Sequence, residues 1–230
     1  MRPIAGGTCS ICGERLNGPT LLGPKALCGL CRRIEPPFVK ATAYGSYDGG
    51  LRELIHLLKY EQVRTAADVL GRMLREAITD LTKDGATNFL VVPVPLHKRK
   101  LRQRGFNQAE AIARAALQRE TLGLVLSPNV LERQRETASQ IGLTSHQRRE
   151  NMRGAFVVVR PDQILGKDIL LVDDVFTTGT TVSECARVLR RAGASKVFVA
   201  TVARTLKNTT TFAEHDPEVE ASFATAAAAR

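Results

Sequence analysis

Residues 169–181 read ILLVDDVFTTGTT, an order of residue types that few folds can accommodate. Ile169 to Val172 form an unbroken apolar run, the signature of a strand buried on both faces of a parallel sheet. Asp173 and Asp174 follow at once. Val175 and Phe176 lead into Thr177, Thr178, Gly179, Thr180 and Thr181, and a helical pattern begins there. A buried strand therefore runs into paired acids and then a hydroxyl-rich turn at a helix N-terminus. Such a turn offers backbone N–H groups, the positive end of a helix dipole and side-chain hydroxyls, which together suit a phosphate. The acids cannot take a phosphate directly. They can accept hydrogen bonds from sugar hydroxyls or hold a divalent cation. A phosphate beside a diol describes a phosphorylated ribose.

Two familiar phosphate loops are excluded. The sequence has no G-x-x-x-x-G-K-[ST], and no G-x-G-x-x-G follows a strand. The plainest alternative is an ordinary strand-to-helix turn with a threonine N-cap and solvated acids.

Cys9, Cys12, Cys28 and Cys31 form C-x2-C-x15-C-x2-C, and Cys185 lies far away. Two C-x-x-C knuckles at this distance match a tetrahedral four-thiolate zinc site, closed and so structural rather than catalytic. Gly13 and Gly29 flank the knuckles and allow tight turns. Disulfides are the competing reading, and a cytosolic setting opposes them. About 30 residues cannot build a sufficient core unaided, so a staple of some kind is required. Arg2, Arg15, Lys25, Arg32 and Arg33 make the module basic. Cys185 shares an apolar helix face with Val182, Ala186 and Leu189 and reads as a buried small hydrophobe.

Pro36-Pro37 marks a boundary. The expected organisation is a metal-binding ribbon over 1–36, an α/β domain over 37–206 and a disordered tail over 207–230. Phe38 to Tyr47 reads as a strand region. Helices are expected over about 49–60 and 64–82, with Lys83-Asp84-Gly85 as a stop. Phe89 to Val92 is a second buried strand, running through Pro93-Val94-Pro95 to Leu96, His97, Lys98 and Arg99. A basic loop beyond the carboxyl end of a parallel strand lies where ligands bind in open α/β sheets. Arg104 offers a bidentate phosphate donor. Asn107 can cap a helix whose stripe is Ala109, Ile112, Ala113, Ala116 and Leu117. Phe156 to Val159 and Val197 to Val202 are further β-rich runs, and a helix over about 179–192 precedes the last. The fold class is a parallel twisted sheet with flanking helices.

The balance of 33 basic and 23 acidic residues gives +10, which favours anionic partners. Lys98, Arg99, Lys100, Arg102 and Arg104 form one basic group; Arg148, Arg149 and Arg153 form another. No apolar run approaches the ~20 residues of a membrane span, and residues 1–8 lack a secretory h-region. A cytoplasmic protein is expected.

VDDVFTTGTT resembles the phosphoribosyl pyrophosphate (PRPP) motif of type I phosphoribosyltransferases. Together with C-S-I-C-G, C-G-L-C, L-K-Y at 58–60, V-P-V-P-L at 92–96, R-G-F-N-Q at 104–108 and R-R-E-N-M at 148–152, it is similar to the ComF competence-protein family. Phe176 stands where the general motif has a small residue. The resemblance implies a phosphoribosyltransferase-like domain behind a zinc ribbon, and a role in DNA uptake. It implies PRPP with its 5′-phosphate on Thr177–Thr181 and its ribose on Asp173 and Asp174, the residues assigned to catalysis. Val175 and Phe176 complete that motif. Mg2+ accompanies the ligand. Leu96, His97, Lys98, Arg99 and Arg104 form the pyrophosphate side, and residues 102–108 a mobile closing loop. Lys59-Tyr60 would lie near the cleft. Arg133, Arg135, Thr137, Gln140 and Arg148 would belong to a hood. No dedicated general base is evident. The alternative is a non-catalytic PRPP or nucleotide sensor whose ribbon and basic surface bind single-stranded DNA or a DNA-processing protein.

Overall fold

A computed structural model describes residues 7–16, 26–82, 89–118, 123–137 and 145–206. The tail over 207–230, the stop at 83–85, Arg2, Lys25 and Gln140 lie outside the described residues. After the short helix α1 (Gly29–Arg33) come β1 (Lys40–Ser46), α2 (Gly49–Tyr60), α3 (Ala66–Thr82) and β2 (Leu90–Pro93). Helices α4 (Lys98–Arg104) and α5 (Gln108–Leu117) follow, then the short strands β3 (Val125–Leu126) and β4 (Leu131–Arg133). Next are α6 (Ser145–Met152), β5 (Phe156–Val158), β6 (Asp168–Phe176), α7 (Thr180–Arg191) and β7 (Lys196–Arg204).

Five strands form one sheet in the order β1-β7-β6-β2-β3, every neighbouring pair parallel. Phe156–Val158 belongs elsewhere: β5 pairs antiparallel with β4 in a separate two-stranded ribbon.

The central strand β6 is buried on both faces because its side chains alternate between two cores. Ile169 and Leu171 join α7, the β4–β5 ribbon and the cysteines. Leu170 and Val172 join α2, α3 and α5. All four are completely buried. Fully burying an Ile, Leu or Val side chain is worth about 1.5–3 kcal/mol, so this strand anchors both layers. On the second layer α3 and α5 approach closely at Gly71, where a Cβ would sit 2.6 Å from that of Ala115. Arg75 fastens the same crossing by donating from Nε to the carbonyl of Ala116 at 2.8 Å.

Two elements differ from the sequence expectation. The strand does not stop at Val172: it continues through both acids to Phe176, because β7 runs alongside it as far as Arg204. The basic segment is not a loop. His97 caps α4 by accepting from the amide of Arg99, and Gly105 ends the helix in a left-handed conformation with φ of 78°. Residues 102–108 are therefore a helix end, a tight turn and the start of α5. Asn107 caps α5 through Oδ1 and donates from Nδ2 to the carbonyl of Val94 at 3.0 Å.

Candidate functional site

Pro93 pairs with Val172, and the amide of Val94 donates to the carbonyl of Val172 at 2.8 Å. The segment Val94–His97 therefore leaves the sheet beside the point where the acids emerge. Strand alternation carries the two acids toward different layers, yet their carboxyls remain close enough to bond each other. Asp173 follows Leu171 toward α7, where its charge is felt by Cys185 and by Arg133 of β4. Asp174 follows Val172 toward α2, where Lys59 Nζ meets its Oδ2 at 2.7 Å. The two side chains are 20% and 6% exposed, so this ion pair is largely removed from water. Beyond the acids the alternation slips. Val175 packs with the α2 side and Phe176 with the α7 side. At the slip the amides of Asp174 and Val175 donate to the side chains of Asp173 and Asp174, at 2.9 and 3.0 Å.

The electrostatics split the pair. Burial pushes the Asp173 carboxyl well above its ordinary value, and the charge of Asp174 adds to the push. Burial also opposes ionisation of Asp174, but Lys59 outweighs it and holds that carboxyl low. Lys59 is raised in turn: burial disfavours its charge, and Asp174 more than restores it. One carboxylate is thus firmly ionised, and its neighbour holds a proton more tightly than usual.

The turn ends at Gly179, the N-cap of α7, with φ of 74° and no side-chain bond to the helix amides. Thr178 and Thr180 share a hydroxyl–hydroxyl bond of 2.9 Å beside it, and Thr177 is exposed. The first amides of a twelve-residue helix therefore face a hydroxyl-lined turn without a side-chain cap, a ready anion cradle.

Leu96 and His97 follow Val94 out of the sheet, and the backbone of His97 bridges to that of Arg133. Lys98 is exposed, and Arg99 bonds the carboxylate of Glu136 at 3.4 Å. Arg104 donates to Oε1 of Gln108 at 2.7 Å and lies over the ring of Tyr60 at 5.6 Å. It is thus drawn toward the residue next to Lys59.

The thiols of Cys9, Cys12, Cys28 and Cys31 lie within 4.8 Å of one another. All are free, and Cys12 and Cys28 are 3.6 Å apart, too far for a disulfide. Four metal–sulfur bonds of about 2.3 Å would space tetrahedral thiolates at about 3.8 Å. Burial pushes the Cys12 thiol up to about 12. It opposes ionisation of Cys9 too, but backbone amides of Cys12, Cys28 and Ile11 bring that thiol down to about 7. The amide of Cys31 donates to Cys28 Sγ at 3.4 Å. The cluster can hold a metal ion.

Two buried charges escaped the sequence reading. Glu184 of α7 accepts from the amide of Gly154 at 2.8 Å and pairs with Arg187, fastening the segment between α6 and β5 to the helix behind the turn. Arg204, 3% exposed at the end of β7, reaches the cysteine module. An arginine closing the apolar run Val197–Ala203 was the one signal available for it.

The phosphoribosyl transferase domain family matches residues 60–222. The DNA utilization protein YhgH of Salmonella typhimurium is 31% identical over 211 residues, covering 87% of this chain and 91% of its own length. Competence protein F of Haemophilus influenzae is 30% identical over 209 residues, 86% of this chain and 90% of its own. Among solved structures, a Trypanosoma cruzi hypoxanthine phosphoribosyl transferase covers 70% of this chain and 93% of its own, at 15% identity and a TM-score of 0.40. The similarity to YhgH and competence protein F extends over most of the chain, and this chain belongs to the ComF family of phosphoribosyltransferase-like proteins.

Proposed function

We propose that the cleft at the carboxyl ends of β2 and β6 binds PRPP with magnesium and transfers its phosphoribosyl group, in a process tied to competence and DNA uptake. The observation that carries this reading is the acid pair beside an anion cradle with no side-chain cap. The 5′-phosphate rests on Thr177–Thr181, and Asp173 and Asp174 hold the ribose hydroxyls. Val175 and Phe176 shape the strand end between them. Magnesium held beside Asp173 and Asp174 would supply charge neutralisation to the pyrophosphate. The backbone at Leu96 and His97, with Lys98, Arg99 and Arg104, provides the remaining positive field. In the reaction an acceptor nucleophile bonds to C1′ as the bond from C1′ to the pyrophosphate oxygen breaks. The chain contributes positioning and electrostatic stabilisation of the leaving group. Residues 1–36 form a module around structural zinc, appended to a domain over 37–206. The names of the relatives support the link to DNA, and the thiol-rich module suits a cytoplasmic setting.

A second reading has its own support: Lys59 already occupies the carboxylate that would polarise the ribose, and the chain carries +10. In that reading the pocket senses PRPP or a nucleotide, and the zinc module and basic surface engage single-stranded DNA or a DNA-processing protein. Pyrophosphate release across a panel of purine and pyrimidine bases separates the two. Release with at least one base, lost in Asp173→Asn/Asp174→Asn, is expected of the transferase. A silent panel, with single-stranded DNA binding that falls steeply with salt, would favour the sensor.

A further inference from the structure

The metal module and the phosphate turn share one buried cationic contact. Arg204 donates from Nη1 to the carbonyl of Cys12 at 2.5 Å. Its Nη2 lies 3.7 Å from Cys12 Sγ and 2.9 Å from Oε2 of Glu14. The same guanidinium stands 4.4 Å from the centre of the Phe176 ring, and Phe176 and Arg204 are register partners on adjacent strands. Phe38, just past the Pro36-Pro37 boundary, packs edge-on against that ring at 6.2 Å. The Cζ end of the ring lies against Gly179: a Cβ there would be 2.6 Å from Cζ and 2.9 Å from Cε1 of Phe176.

We infer that Arg204 and Phe176 are positioning residues through which metal occupancy of the cysteine cluster sets the shape of the phosphate-binding turn. The Cys12 carbonyl and Glu14 hold the guanidinium only while the first knuckle keeps its form. The guanidinium and Phe38 hold the ring, and the ring supports Gly179 in its left-handed conformation. A small residue at 176 could not span from Arg204 to Gly179. The large aromatic at this position is thus the piece that joins the two sites. A metal distant from the cleft becomes a condition for anion binding, and by thermodynamic reciprocity a bound anion tightens the metal. The PRPP-dependent part of this inference rests on the function proposed above; the conformational part does not.

Hydrogen exchange tests the conformational part without any phosphate ligand. The full chain is compared zinc-loaded, chelator-stripped and reloaded. Exchange at Gly179–Val182 is expected to rise about tenfold on stripping, within the usual range of coupling between sites, and to return on reloading. Helix α5 should stay protected. In Phe176→Leu these amides should exchange fast even with zinc bound. Unchanged exchange at the turn, or an equal rise in α5 from general unfolding, overturns the inference. With PRPP and magnesium, chelator competition should show zinc bound about tenfold more tightly in the wild type and with little change in Phe176→Leu. A role confined to stability would leave that linkage intact in the variant. If PRPP fails to bind the zinc-loaded wild type while exchange at the turn still responds, the PRPP reading falls and the coupling stands.

Discussion

A Gly179→Ala protein is expected to retain its fold and its metal but to bind PRPP about a hundredfold more weakly. Two independent costs meet at this residue. Its φ of 74° lies in the left-handed region, where a Cβ costs about 1–2 kcal/mol. The new methyl would also collide with Cζ of Phe176 at 2.6 Å. The ring cannot simply retreat, because Arg204 and Phe38 pack against it. Displacing a packed core group costs about 1–3 kcal/mol. Relief comes most cheaply by opening the turn, which takes the α7 amides out of line with the phosphate. At about 1.4 kcal/mol per tenfold in affinity, a loss near a hundredfold follows. Calorimetric titration of the variant checks it, and wild-type affinity would show that the turn does not form the anion cradle.

Replacing Lys59 with methionine should destabilise the fold by about 3–5 kcal/mol, the usual cost of leaving one partner of a buried ion pair alone. The pH dependence should change with it. In the wild type Lys59 holds Asp174 below its ordinary value of 3.8, so that pair contributes stability at neutral pH and loses it as pH falls through the lowered value. The raised Lys59 has the matching upper limit: its contribution is complete below 10.5 and fades as pH climbs beyond it. Asp173 works in the opposite sense. Its raised carboxyl lets the folded state keep a proton that the unfolded chain has released, so its share of stability declines as pH rises above 3.8. Without Lys59, Asp174 joins Asp173 in that behaviour, since burial and the neighbouring acid both disfavour its charge. The variant should therefore lose stability relative to the wild type as pH rises from 3.8 toward neutrality. Urea midpoints across that range decide it, and parallel profiles for the two proteins would mean that the ion pair carries no weight.

The parts of this molecule that repeat a periodicity were legible in its sequence. Ile169–Val172 announced a strand buried on both faces, and the stripe from Ala109 to Leu117 announced α5. The cysteine spacing announced a cluster because ligand geometry leaves little freedom. Boundaries set by distant partners were not legible. Asp173 and Asp174 look like the end of a strand, yet β6 runs on because β7 accompanies it to Arg204. Helix α4 looks like a loop in the sequence because none of its residues is buried, so no apolar stripe marks it. Lys59 carries the ordinary signature of a last-turn cation, and only the fold brings it to Asp174. Arg204 is the extreme case, meeting Cys12 across 192 positions of chain. Phe176 departs from the motif, and its place between Arg204 and Gly179 follows only from the fold.

The most direct test of the PRPP site is a calorimetric titration of the zinc-loaded full chain with PRPP and magnesium, run beside Asp173→Asn/Asp174→Asn. Saturable binding near one PRPP per chain, lost in the double variant, is expected. A wild-type protein that gives no binding, or a double variant that binds as well as the wild type, would contradict the assignment of this cleft to a phosphorylated ribose.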